Sequence, residues 1–480
     1  MLTYSFANIG SDSLYEHLYK CIKNDILQGI LRPDDKLPSK RTFAKNLNIS
    51  TITIENAYAQ LLAEGYIYSI PKRGYFIANL DHSIQISQST HLAEPEIETS
   101  FSKRTTDDNS ATPFADFISN QTNPDNFPFS IWTKLMREII LDKSRELMTN
   151  SPCGGILELR TAIATHLKEF RNMDVSPEQI IVGAGTEYLY GLLIQLLGHD
   201  RIYGVEDPGY QKVAQIYRSN QVSCHYIPLD EHGIMIDGLD SNNIDIIHTC
   251  VSHHFPTGII TPISRRYELL GWASKSDTRY IIEDDYDSEF RLMGKPIPSL
   301  QSIDVMEKVI YMNTFTKSLA STIRISYMIL PNHLVKKFYE TLSFYSCTVS
   351  NFEQYTLARF IQGGYFEKHI NRMRNYYRGQ RDFIMECIQN NPNVSRITIK
   401  EEDSGLHFLM QVSTDKTDEV IVEEALKQGI RISCLSNYYH SNYYHNENND
   451  TLHTLIINYS NLPPVIMQEA IDRLCNAIFE

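Results

Sequence analysis

The stretch NTFTKSLASTIR, residues 313–324, sets one lysine, Lys317, among hydroxyls, with Arg324 seven residues further on. A lysine held in a buried pocket beside a bound anion gives up its proton more readily and becomes a nucleophile toward a carbonyl carbon. Thr314, Thr316 and Arg324 add hydroxyls and a fixed positive charge, a set suited to a phosphate. In GAGTEYLYG, Gly185 and Thr186 stand where a strand turns into a helix, so free N–H groups and a close backbone approach favour an anion. Tyr210 in VEDPGYQK is presented by a Pro-Gly turn and can stack on a flat ring. In YIIEDDYDSEF, Glu283, Asp284 and Asp285 crowd a strand end just before Tyr286. Carboxylates so packed call for a metal or a bound cation, such as a protonated pyridine nitrogen. Each feature alone has an ordinary alternative: a solvated lysine, a core tyrosine, a glycine-bearing turn.

The elements that would position these residues are apolar, β-rich runs. QIIVGAG, RIYGVED, CHYIPL, IDIIHTCVS, RYIIEDDY, KVIYMNTF and ISYMILP alternate with helical stretches. That alternation predicts an α/β fold with a mostly parallel sheet, whose ligands sit beyond the C-terminal ends of the strands. The residues singled out above, and the SHHFPTG loop at 252–258, fall at those ends.

The first 80 residues read differently. Leu14, Leu18, Ile22 and Ile26 recur every four residues, a helical spacing. Ser39 and Ser50 are predicted N-caps of a second and a third helix. Two β-rich runs follow, around a turn carrying Lys72 and Arg73. This order is that of a winged helix-turn-helix. Its third helix offers Thr51, Thr53 and Asn56 to base edges, while Lys40, Arg41, Lys45 and the wing cations face phosphates. A small helical protein-interaction domain is the plainer alternative. Charge favours the first reading: this head carries +2, while the whole 480-residue chain carries −14.

Residues 81–113 are rich in Ser, Thr, Asp and Glu without periodicity, and read as a flexible linker between the head at 1–80 and a body at 114–480. The eight cysteines form no C-x-x-C pair, which fits reduced thiols and a cytoplasmic location. Neither a signal peptide nor a membrane span is expected. The histidines of NYYHSNYYH, at 437–445, lack a metal-binding spacing and read as a surface loop.

The head closely resembles the GntR-type DNA-binding domain in its Pro-Ser-x-Arg step (Pro38–Arg41), Ser50, Thr53, Ile54, Ala57–Tyr58 and Glu64–Gly65. The ordered series of glycine turn, aromatic, Pro-Thr-Gly loop, strand-end Asp, and Lys with Arg beyond resembles fold-type I, aspartate-aminotransferase-like proteins of pyridoxal 5′-phosphate (PLP). Together they resemble the MocR subfamily of GntR-type transcriptional regulators. The resemblance implies that Lys317 forms a Schiff base with PLP and Asp284 pairs with its ring nitrogen. It further implies that Tyr286 bonds the ring hydroxyl, Tyr210 stacks, and Gly185, Thr186, Thr314 and Arg324 hold the phosphate. It implies a double-stranded DNA operator, an effector that is PLP or an amino compound, control of vitamin B6 or amino-compound genes, and a head-to-tail homodimer.

Three departures stand out. Phe255 occupies the place of an Asn that contacts the ring oxygen in related enzymes. The run LHTLIINYSNLP lacks the arginine that takes a substrate carboxylate, with Arg431 and Lys212 as substitutes. Glu187 sets a carboxylate beside the phosphate turn unless it points away. These weigh toward regulation over the alternative, a working aminotransferase with an accessory DNA-binding head. A body that has lost the cofactor and only dimerises is disfavoured by Lys317 with Asp284.

Overall fold

Local signals build the first part of the chain. In the computed structural model, which describes residues 2–6, 13–79, 113–119, 123–292, 297–402, 405–440 and 451–480, α1 (Leu14–Leu27) buries Leu18, Ile22 and Ile26. Ser39 caps α2 (Lys40–Leu47) by accepting from the Thr42 N–H at 3.2 Å. Asn48, left-handed at φ 52°, ends that helix. Ser50 caps α3 (Thr51–Ala63) by accepting from the Thr53 N–H at 3.1 Å. α3 buries Ile54, Ala57, Tyr58 and Leu61 against α1 and Phe43 of α2. The Tyr58 hydroxyl, buried with its ring, donates to the Pro38 carbonyl at 2.9 Å. The antiparallel hairpin β1 (Ile67–Ile70) and β2 (Gly74–Ile77) completes a winged helix-turn-helix.

The chain divides into two compact units, Met1–Asn109 and Ser110–Glu480. Linker residues 81–112, and 441–450 with most of the NYYHSNYYH repeat, lie outside the described residues. The second unit opens with β3 (Ala115–Asp116). A sheet follows from β4 (Ile180–Gly183), β5 (Ile202–Asp207), β6 (Ser223–Asp230), β7 (Gly233–Ile234), β8 (Ile246–Thr249), β9 (Tyr280–Asp284), β10 (Val309–Thr314) and β11 (Ser326–Ile329). Their spatial order is β4-β11-β10-β9-β8-β5-β6-β7. Pairing is parallel from β6 through β5, β8 and β9 to β10, while β11 runs antiparallel between β10 and β4. A second sheet holds β12 (Ile397–Lys400), β13 (His407–Ser413), β15 (Ser433–Cys434) and β16 (Leu452–Asn458), all antiparallel, and the short β14 (Ile430–Arg431) pairs with β3.

The central strands β8, β9 and β10 of the large sheet are almost wholly buried, as helix-covered parallel strands must be. Side chains alternate between two cores. Ile181, Ile310, Met312 and Met328 pack into one, and Ile180, Val182, Tyr311 and Tyr327 into the other. The parallel register aligns the ends of β5, β8, β9 and β10, so the segments after them converge.

Burial next to those ends is not wholly apolar. Arg171 and Asp285 form an ion pair with 5% and 1% of their surfaces exposed. Arg171 also donates to the Ile297 carbonyl at 2.6 Å, and the Tyr311 hydroxyl donates to Asp285 at 2.6 Å. Removing one partner strands the other without water. Arg171→Met is therefore expected to destabilise the second unit by about 3–5 kcal/mol, read as a lower urea midpoint at unchanged slope.

Candidate ligand pocket and nucleic-acid interface

Alternation along β9 sends the three crowded acids to different partners. Glu283 accepts from the Leu300 and Gln301 N–H groups at 2.7 and 2.9 Å. Asp285 takes Arg171 and Tyr311. The expected repulsion appears behind the pocket: burial and the Asp285 charge push both Glu283 and Glu289 up to about 7. The crowding therefore needs no metal, because protein donors answer Glu283 and Asp285. Asp284 differs. Its Oδ2 accepts from the Tyr190 hydroxyl at 2.6 Å and lies 3.3 Å from His248 Nε2. Its buried Oδ1 has no hydrogen-bond partner among the described residues; the same holds for Asp285 Oδ1, but of the two only Asp284 lines the candidate pocket. His248 Nδ1 lies 2.9 Å from the Tyr217 hydroxyl, so a Tyr217–His248–Asp284–Tyr190 chain fixes the carboxylate.

Asp284 faces a cavity of about 280 Å³. Thr186, Tyr210, Tyr286, Thr314, Lys317 and Arg324 line it too, so the structure gathers residues spread over 139 positions of sequence. Lys317 follows β10 in the turn Phe315–Ser318, whose start is capped by Thr314 accepting from the Thr316 N–H at 3.1 Å. Burial pulls the Lys317 ammonium down to about 7, and the Asp287 charge opposes the shift. The Tyr286 hydroxyl lies 3.4 Å from His253 Nδ1, and burial raises its pKa well above that of a free phenol. Gly185 caps the helix Thr186–Leu197 at φ 92°, and a Cβ there would collide with the Arg324 guanidinium. Arg324 itself is left-handed at φ 53°, a costly backbone for a long side chain, held where it aims into the pocket.

The departures also find places. Phe255 packs edge-on to Tyr210, His407 and Tyr438, with ring centroids 5.3–6.0 Å apart. Tyr210 is 55% exposed at the cavity mouth. Glu187 does not point away: it lines the cavity, meets Arg324 at 2.9 Å through Oε2 and grips Lys212 through Oε1. Arg431 does not reach the cavity, since it pairs with Asp116 at 2.8 Å and lines a neighbouring groove. Sequence reasoning missed Tyr190 and His248. Tyr190 stands four residues after Thr186, one helical turn on, and His248 is an ionisable residue in the otherwise uncharged strand Ile246–Thr249; both signals were available.

In the first unit Arg41, Lys45, Thr51, Asn56, Lys72 and Arg73 are exposed. Lys40 is half-buried, paired with Glu55 at 2.6 Å and set over the Tyr75 ring. Thr53 directs its hydroxyl to Ser50 at 2.9 Å. Arg41 and Lys45 on α2, and Thr51 and Asn56 on α3, remain the better-presented groups.

Residues 14–77 match the gntR family of bacterial regulatory proteins. Over 419 residues the chain is 39% identical to the HTH-type transcriptional regulator YdeL of Bacillus subtilis, covering 87% of this chain and 88% of that protein. The rhizopine catabolism regulatory protein MocR of Rhizobium meliloti is 29% identical over 97% of this chain and 93% of its own. The chain belongs to the MocR-type GntR transcriptional regulators. A third member, the pyridoxine biosynthesis regulator PdxR of Corynebacterium glutamicum, is 28% identical over 89% of each chain. Among solved structures, the kynurenine aminotransferase of Pyrococcus horikoshii superposes with a TM-score of 0.64 at 23% identity, covering 77% of this chain and 91% of that one. That likeness shows an aminotransferase fold. The GntR head implies DNA binding, and the regulatory role follows from the family. Among the described residues no helix is long and apolar enough to cross a membrane.

The geometry makes Lys317 distinctive without any ligand. Labelling of Lys317 by an amine-reactive reagent, followed by mass spectrometry, is expected to rise with a midpoint near pH 7. An ordinary exposed lysine would titrate near about 10.4. The sign follows from burial, which disfavours the charged amine, so reactivity appears at lower pH than usual.

Proposed function

We propose that the second unit binds PLP through Lys317 and that this regulator changes its DNA affinity with the ligand state of that pocket. The observation that carries the reading is a buried carboxylate oxygen, Asp284 Oδ1, with no described hydrogen-bond partner, in one cavity with a lysine whose ammonium is pulled down to about 7. PLP supplies an aldehyde for an amine, a basic ring nitrogen that draws electrons when protonated, and a phosphate dianion. The donor set fits all three parts. Lys317 would present a neutral amine. Asp284 would hold a proton on the ring nitrogen, kept in place by Tyr190 and His248. Tyr286 would meet the ring hydroxyl, and Tyr210 would cover the ring at the mouth. Gly185, Thr186, Thr314 and Arg324 would hold the phosphate.

The effector is PLP itself or an amino compound that joins it. The names of PdxR and MocR point to one of each, pyridoxine biosynthesis and rhizopine catabolism. In the working arrangement, residues 1–80 read an operator from the cytoplasm, 81–113 serve as a tether, and 114–480 sense the ligand in a head-to-tail homodimer. Turnover as an aminotransferase fits less well. The run at 452–463 carries no arginine or lysine, and Asn458 accepts from the Ser460 N–H and hydroxyl at 3.0 and 2.7 Å.

Two measurements test this. After free ligand is removed, added PLP is expected to leave a visible absorbance on the protein, and borohydride to fix the ligand's mass on the Lys317 peptide. Both should vanish in Lys317→Ala; an adduct that survives that change would sink the assignment. In a gel shift on the region upstream of the protein's own gene, PLP should change operator affinity in the native protein and not in Lys317→Ala. Arg41→Ala should weaken binding across sequences and lower the salt slope by about 1.

A further inference from the structure

Glu187 has no role in the scheme above, yet it lies where the scheme puts a phosphate. It occupies the first turn of the helix Thr186–Leu197, beside the Gly185 cap, and lines the same cavity as Arg324 and Lys212. Its two carboxylate oxygens are divided between two cations: Oε2 meets Arg324 at 2.9 Å and Oε1 holds Lys212. Lys212 beside it, and Arg324 further, hold the Glu187 carboxyl below its ordinary range, so it stays ionised at neutral pH. The guanidinium that would take a ligand phosphate already has an anion from the protein itself.

We propose that Glu187 is a built-in competitor for the phosphate of the ligand and that Lys212 is its counter-charge. The inference rests on the reading of the cavity as a PLP site. A phosphate arriving at Arg324 displaces Glu187 from that guanidinium. Glu187 then keeps Lys212 as its partner, and the pair stays close to neutral beside the incoming dianion. Without Lys212 the carboxylate would face the phosphate uncompensated. The device weakens the hold on phosphate, which keeps a sensor responsive to changing ligand rather than permanently filled. Each of the three side chains is more than a third exposed, so water and salt screen the exchange and limit its size.

The test is a titration of the full-length protein with PLP, with pyridoxal (the same aldehyde and ring without the phosphate), and with inorganic phosphate as competitor. Glu187→Gln is expected to bind PLP about tenfold more tightly, equivalent to about 1.4 kcal/mol, and to make inorganic phosphate a better competitor. Pyridoxal affinity should stay within about twofold, because the effect acts through the phosphate. Lys212→Met should weaken PLP by about tenfold when Glu187 is present and by no more than about twofold in the Glu187→Gln background. Equal weakening in both backgrounds would show that Lys212 touches the ligand directly and overturns the proposal. So does a Glu187→Gln protein that binds PLP no more tightly, or one that gains as much for pyridoxal. If PLP binding in the native protein is indifferent to Lys317→Ala, the reading of the pocket itself falls and this inference falls with it. A Lys317-dependent adduct with no Glu187 effect overturns this inference alone.

Discussion

A carboxylate taken out of water must be answered by a donor or it will not stay charged. The end of β9 puts that requirement on three consecutive acids, and the second unit is arranged around meeting it. Glu283 is answered by two backbone N–H groups, and Asp285 by an arginine and a tyrosine brought from other elements. Asp284 and Asp285 are each answered on one oxygen only, and of the three acids Asp284 alone lines the cavity. The unequal solution turns a crowded strand end into a directional site. Two of the acids are absorbed into the structure and the third is aimed into a cavity. Lys317 is the complement in the same cavity: the same burial that makes a carboxylate demand a partner makes an ammonium shed its proton.

The groups that serve the cavity come from both sheets of the second unit. His407 on β13 lies 3.2 Å from the Pro256 carbonyl, the Gly209 N–H donates to the Tyr438 carbonyl at 3.2 Å, and the His440 N–H donates to Asp207 at 2.9 Å. Phe255, set between Tyr210 on one side and His407 and Tyr438 on the other, is the apolar centre of that seam. An asparagine there would offer a polar contact to a ring but no such packing. The departure from the enzyme pattern therefore exchanges a ligand contact for an inter-sheet contact.

Much of the site was legible because its parts are local. Lys317, Arg324, Gly185 and Asp284 each sit at a strand end or helix start that apolar runs and glycines mark in the sequence, and the caps of the head are read from Ser39 and Ser50 alone. What sequence did not show is non-local pairing. Tyr190 and His248 lie 94 and 36 positions from Asp284, and only the sheet order brings them to it. Lys40 counts as a phosphate contact in a string of cations until α3 places Glu55 beside it. The apolar run of β11 announces a strand but not its direction. Glu187 is the sharpest case: its presence beside the phosphate turn was evident, while its orientation toward Arg324 and Lys212 depended on elements 137 and 25 positions away.

A sensor has to bind its ligand with different strength in its two DNA-binding states, and by linkage the operator must then alter ligand affinity by the same factor. A tenfold coupling needs only about 1.4 kcal/mol. The interactions around this cavity are graded to that scale. The buried partners of Asp284 and Asp285 are too costly to rearrange and supply a fixed frame. The half-exposed trio of Glu187, Lys212 and Arg324 would, in the proposed device, exchange partners at a cost of that order. The inter-sheet contacts at Phe255, Tyr438 and His440 lie beside the cavity, where, in the proposed role, a ligand touching residues of both sheets would act on their relative placement. In the proposed role, rigid charge behind and exchangeable charge in front would let one pocket hold a ligand specifically and still report its departure.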